Sequence, residues 1–174
     1  MFVTTSRKPV MGSRRLAKAL CAFLPGCAYA GRGKESFQGL CGKAYSAGQE
    51  ILCVIFEKHG SPSMLSLARV APTREGVDFE YLPEAIIIRN LKFHPALKQA
   101  LGMRKAQPAQ VEGEGAEGLL GIFGISMGSM GGEGSQLRIS CSAGRLGFYM
   151  KGAPCMELEY HVSRHAPVEG GAVE

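Results

Sequence analysis

No unbroken apolar run in the chain exceeds six residues, and one of the two that reach six is residues 51–56, Ile-Leu-Cys-Val-Ile-Phe, bracketed by Glu50 and Glu57. Six residues are far short of the roughly 20 that cross a bilayer as a helix. A run this short and rich in β-branched residues predicts a buried strand over 50–59. Gly60-Ser61-Pro62 then reads as a turn, needing only Gly60 and Pro62 for its geometry, into a second strand over 64–71. A sheet must therefore lie at the centre, and the rest of the chain has to pack around it.

The flanking segments follow from local chemistry. Residues 2–5 read as a short strand, and Pro9 holds Lys8 extended. Ser13 is a candidate N-cap for a helix reaching Leu24, with Leu16, Leu20, Phe23 and Leu24 on one face and Arg14, Arg15 and Lys18 on the opposite arc. Pro25-Gly26 stops it. An extended piece over 28–30 leads through Gly31-Arg32-Gly33-Lys34 to Ser36, which caps a second helix carrying Phe37, Leu40, Cys41, Ala44 and Tyr45 on one face and closing at Gly48. After the hairpin come extended pieces over 77–82 and 85–89. Between 112 and 134, nine of 23 residues are Gly; Leu119, Leu120, Ile122 and Phe123 still predict a helix there, although Gly118, Gly121 and Gly124 weaken it, followed by a flexible loop over 126–134. Strands over 136–142, 145–151 and 156–162 precede a frayed tail after Ala166. The order indicates helices packed on a largely β sheet, an α/β (α+β) class, as two related lobes each with a small sheet, residues 1–90 and 91–174, meeting near 84–110.

Charge is distributed unevenly along that frame. Residues 1–34 hold seven Lys or Arg and no acid, a net +7; residues 35–105 carry +2 and residues 106–174 carry −4. A positive block on segments that read as folded predicts a polyanion-binding face. Two arginines in a first helical turn oppose the positive end of the helix, a cost that an anion bound there would offset.

Other chemistries find little support. Gly31-Arg32-Gly33-Lys34 is not a P-loop, because Ala28 occupies the first glycine position of that motif and Glu35 stands where a hydroxyl should meet Mg²⁺. As a glycine-flanked basic turn it can still lay amides and cations against a phosphate. His161 and His165 have no third ligand, so no metal is expected, and no cofactor. No paired acids and no Cys–His signature mark a catalytic site, so the chain is read as a non-enzyme. Six Cys without a CxxC pair, three of them among apolar residues, suit reduced thiols in a cytoplasmic protein. Ser13-Arg14-Arg15 imitates a twin-arginine signal and Ala28-Tyr29-Ala30 a cleavage site. Only six apolar residues separate the arginine string from Pro25, however, and a strand precedes it, so neither export nor membrane attachment is expected.

Four strings occur in order over about 60 residues: Thr4-Thr5-Ser6-Arg7-Lys8-Pro9, the basic start Ser13-Arg14-Arg15, Gly31-Arg32-Gly33-Lys34, and Glu57-Lys58-His59-Gly60-Ser61-Pro62. Together they resemble the Brix domain of ribosome-biogenesis proteins in its short archaeal form. Val10, Ala30 and Lys58 depart from the family pattern, and the Gly-rich insert 112–134 is not a family feature. The resemblance implies a fold of two lobes, each similar to the anticodon-binding domain of class II aminoacyl-tRNA synthetases. It also implies a non-enzymatic role in which rRNA or pre-rRNA is bound, with ribosome-assembly proteins as further partners. Candidate RNA contacts are Arg7, Lys8, Arg14, Arg15, Lys18, Arg32, Lys34, Lys58 and His59. Few aromatics other than Tyr29 and Phe37 lie near them in sequence, so recognition of folded RNA shape is expected over splayed bases. The alternative is a protein-interaction scaffold whose basic face docks an acidic partner protein.

Overall fold

In the computed structural model, which describes residues 1–103 and 108–164, the apolar run forms the third strand of a nine-stranded sheet. In chain order the elements are β1 (Phe2–Thr5), α1 (Met11–Phe23), β2 (Ala28–Tyr29), α2 (Phe37–Ser46), β3 (Ile51–Lys58), β4 (Ser61–Thr73), β5 (Gly76–Phe93), α3 (Leu97–Leu101), β6 (Gln110–Glu112), α4 (Ala116–Ile122), β7 (Leu137–Ser142), β8 (Arg145–Met150) and β9 (Ala153–Arg164). Across the sheet the strands run β2-β1-β3-β4-β5-β9-β8-β7-β6. β1 is parallel to both β2 and β3, β6 is parallel to β7, and the remaining pairs are antiparallel.

The unbroken apolar character of β3 has a simple cause: both of its faces are covered. Cys53 and Ile55 point into a core shared with Leu16, Leu20 and Phe23 of α1, while Leu52 and Val54 point the other way, against Leu40, Cys41 and Ala44 of α2. In the second half α4 adds Leu119 and Leu120 to the first face, and the other face stays open. β7 consequently alternates, with Leu137, Ile139 and Cys141 buried and Arg138, Ser140 and Ser142 turned outward.

α2 is bounded as its sequence indicates. Ser36 Oγ accepts from the Gly39 amide at 3.0 Å. At the far end Gly48 (φ +68°) closes the helix, its N–H donating to Tyr45 O and that of Gln49 to Ala44 O, both at 2.9 Å. α1 departs from expectation. It begins at Met11 with Val10 as N-cap, so Ser13 is not the cap but lies inside the first turn, fully buried against the sheet, its hydroxyl without a hydrogen-bond partner among the described residues.

The pieces expected at 77–82 and 85–89 are one 18-residue strand, β5. Pro83 does not break it, because the pairing with β4 is irregular between Ser66 and Ala68, opposite that stretch, where no ladder amide is required. The consequence is architectural: instead of two small sheets there is one continuous sheet, and the 90/91 boundary falls inside β5. The halves also share packing. Phe23 of α1 meets Phe148 of β8 edge to face, centroids 5.2 Å apart.

The helix read through the glycines is α4, and a short 3₁₀ turn, Met127–Ser129, lies in the loop that follows. The three late strands are β7, β8 and β9. The tail after Ala166 lies outside the described residues. All six cysteines carry free thiols; Cys41, Cys53, Cys141 and Cys155 are buried, and Cys21 and Cys27 half-buried. No helix among the described residues is long and apolar enough to cross a membrane.

Candidate nucleic-acid interface

The sheet register sets out the geometry. Phe2 pairs with Ala28 and Leu52, and Thr5 with Ile55, so three mutually parallel strands end along one rim. In open sheets with parallel strands, ligands gather outside the carboxyl ends. The chain leaves β1 there through Ser6, whose amide still donates to Ile55 O at 3.1 Å, and then presents Arg7 and Lys8, both exposed. The next amide to be anchored, that of Val10, donates to Glu57 Oε1 at 2.9 Å. Gly12 lies beneath Pro62, where a Cβ would sit 3.3 Å from the ring Cδ. The first turn of α1 is thereby docked onto the β3–β4 hairpin. The hairpin tip is a two-residue turn, His59 and Gly60 at φ +52° and +74°, the left-handed pair that a tight hairpin needs. It leaves Lys58 and His59 exposed on the same rim.

Arg14 and Arg15 are exposed on the first turns of α1, which carry no acid. Arg15 lies 4.9 Å from the Phe93 ring centroid, a cation–π contact that compensates part of its repulsion from the helix end. Lys18 stands about one turn further along and lines a cavity of about 440 Å³ between α1 and α3, with Cys21, Tyr29 and Ala100. It faces that cavity rather than the rim.

Arg32 also differs from the rest. It is only 8% exposed, and its Nε–H donates to Glu35 O at 3.3 Å, while Glu35 N–H returns to Arg32 O at 3.0 Å. Its guanidinium is a clamp inside the β2–α2 loop, and Lys34 projects from that loop into solvent. Burial lowers the Arg32 pKa, and the nearby positive charge of Arg7 lowers it further. Ala30, one of the departures from the family pattern, is held through its own backbone groups: its N–H donates to Val3 O at 3.1 Å and its carbonyl accepts from the Thr4 hydroxyl, Oγ1, at 2.9 Å.

The acids of this region are engaged elsewhere. Glu57 holds the Val10 amide and Glu35 pairs with Lys43. Among the described residues none of the nine candidate cations forms an ion pair; the pairs found are Lys43–Glu35, His94–Glu157, Arg138–Glu112 and Arg145–Glu159. Eight of the nine are exposed. Two aromatic side chains that no local motif indicates, Phe79 and Tyr81 of β5, are brought by sheet pairing against Phe37 at the start of α2.

Among the described residues no three His, Cys, Asp or Glu side chains are grouped to hold a metal ion. His161 accepts at Nδ1 from Arg89 Nε at 3.2 Å, and His165 lies outside the described residues.

Two solved structures share this architecture. A probable ribosomal biogenesis protein from Aeropyrum pernix K1 superposes with a TM-score of 0.65 at 21% identity, over 95% of this chain and 96% of that one. Mil, an archaeal Imp4-like protein, superposes with a TM-score of 0.58 at 21% identity, over 95% of this chain and 100% of that one. At such identity the likeness is one of fold, and it spans nearly the whole of all three chains. No protein-family model matches the sequence, and no curated protein matches it.

Proposed function

We propose that this chain is a Brix-domain ribosome-biogenesis factor that binds rRNA or pre-rRNA through the rim where β1, β2 and β3 end, and that it acts without catalysis. The observation that carries the reading is the set of exposed cations around that rim, none with a carboxylate partner among the described residues. The order of the four sequence strings supports it, as does the fold shared with a probable ribosomal biogenesis protein and an Imp4-like protein.

Arg7, Lys8, Arg14, Arg15, Lys34, Lys58 and His59 would meet phosphates directly. Arginines fork onto phosphate oxygens, and the amides opening α1 add partial positive charge. Arg32 would serve by holding the loop that presents Lys34. Lys18 would contact only RNA that continues along α1. Apart from β2 and α2, which lie between α1 and β3 in the first half alone, the two halves share the order strand, helix, three strands (β1-α1-β3-β4-β5 and β6-α4-β7-β8-β9), which supports reading them as related lobes of the kind found in synthetase anticodon-binding domains. Ribosome-assembly proteins and a cytoplasmic location complete the proposal.

Filter binding with rRNA fragments tests it. Replacing Arg7, Lys8, Arg14 and Arg15 together with Ala should weaken binding by at least about tenfold at moderate salt. Undiminished RNA binding by that variant would remove the rim from the account. The protein-scaffold alternative gains only if an acidic protein from the assembly pathway binds while rRNA does not.

A further inference from the structure

We propose that Tyr81, backed by Phe37 and Phe79, is a stacking platform for an unpaired base of the bound RNA. The inference rests on the RNA-binding reading above and names a part of the ligand that the cations alone do not define.

The three rings form one cluster. Phe37 and Phe79 lie 4.5 Å apart at 63°, Phe37 and Tyr81 5.4 Å at 36°, and Phe79 and Tyr81 5.6 Å at 83°. Phe37 and Phe79 are half-buried against the core under α2, which fixes the base of the cluster. Tyr81 is the outermost member, 43% exposed. β4 borders the stretch around Tyr81 through the pair Ala68–Tyr81.

The charge around the cluster selects the kind of partner. Phe37 opens α2 directly after the basic loop, three residues beyond the exposed Lys34. Arg32, in the loop before α2, acts electrostatically on both the Tyr81 phenol and Arg7, so one cation of that loop is near the ring. Asp78 and Glu80 alternate to the opposite face of the strand, where the Asp78 carboxylate accepts from the Phe79 amide at 2.8 Å, although its charge still reaches Cys41 in the core against which Phe37 and Phe79 pack. An exposed ring close to a basic loop is an arrangement that single-stranded nucleic acid uses: phosphates on the cations, a base on the ring. Sequence distance hides this site, because Tyr81 lies 44 residues from Phe37.

The test compares a short oligoadenylate carrying a fluorescent adenine analogue with a blunt RNA duplex of equal length. Tyr81→Ala should weaken the single strand roughly 5- to 100-fold and abolish the fluorescence change, with duplex binding within about twofold of wild type. Tyr81→Phe, which keeps the ring, should restore single-strand affinity. Thermal melting checks that the Ala variant is folded. Unchanged single-strand affinity in Tyr81→Ala, or an equal loss for duplex and single strand, overturns the inference while RNA binding itself stands. Failure of the wild-type protein to bind either RNA removes the underlying reading, and the platform with it.

Discussion

The backbone amide of Val10 donates to the carboxylate of Glu57 at 2.9 Å, joining the N-cap of α1 to the end of β3 across 47 residues of sequence. A single acid therefore supports the helix start, positions the basic first turn, and ties it to the hairpin tip. Glu57→Ala should cost about 1–2 kcal/mol in urea denaturation, the range for losing a capping or charge-assisted hydrogen bond. Glu57→Gln, which keeps an acceptor, should cost less. Equal stability of all three proteins would show that the amide is satisfied in another way.

Ser13 gives the converse prediction. As an N-cap its replacement by Ala would destabilise by roughly 0.5–2 kcal/mol. Its hydroxyl is instead buried without a partner inside the first turn, so Ser13→Ala removes an unsatisfied polar group and inserts the best helix former. The melting temperature should hold or rise. A clear fall would return Ser13 to the capping role.

How much of this was readable from sequence depended on whether the controlling partner is local. α2 is legible because its cap, Ser36, and its stop, Gly48, are its own neighbours. The β3–β4 hairpin is legible because a short apolar run and Gly60 signal it directly, but the turn expected over Gly60-Ser61-Pro62 is His59-Gly60, and Ser61 and Pro62 already pair in β4. The start of α1 is not, since its anchor is Glu57. β5 reads as two pieces because Pro83 is a breaker in one dimension, and only the opposing irregularity in β4 makes it harmless. Arg32 reads as an exposed cation because its burial depends on a loop that folds back over the sheet. The rim itself was only partly legible: the strings were visible, but their convergence follows from β1 pairing in parallel with two strands at once.

The glycine-rich insert offers paired substitutions of opposite sign. Gly113 sits at φ +103° where β6 meets β7, and a Cβ there would lie 1.8 Å from the Cys141 carbonyl oxygen. Gly113→Ala should cost more than about 2 kcal/mol. Gly118, within α4, would place a Cβ in open space, so Gly118→Ala should stabilise by about 0.5–1 kcal/mol. Equilibrium denaturation of the two variants separates a built turn from a filler sequence.

Alkaline pH should weaken the fold through buried thiols. Burial, with the negative charge of Asp78 adding to it, pushes the Cys41 thiol up to about 11. The unfolded chain ionises this thiol near its ordinary value of about 8.5, so between these limits the folded state holds the extra proton. The contribution is intact below about pH 8.5 and is lost as pH rises toward 11. Burial raises Cys53 in the same direction. Denaturation profiles across this range should decline, and Cys41→Ala should flatten part of the decline; an identical profile in the variant would contradict the assignment.

The most direct measurement of the central claim is the salt dependence of rRNA-fragment binding by the wild-type chain and by variants of the rim. If about five phosphates are neutralised, log K should fall against log salt with a slope near −3.5 to −4.5, and each of Arg7→Ala, Lys8→Ala and Arg14→Ala should make it shallower by about 0.7–0.9. A flat salt response, or a steep slope that none of these substitutions alters, would contradict the proposal that RNA is held at the common end of β1, β2 and β3.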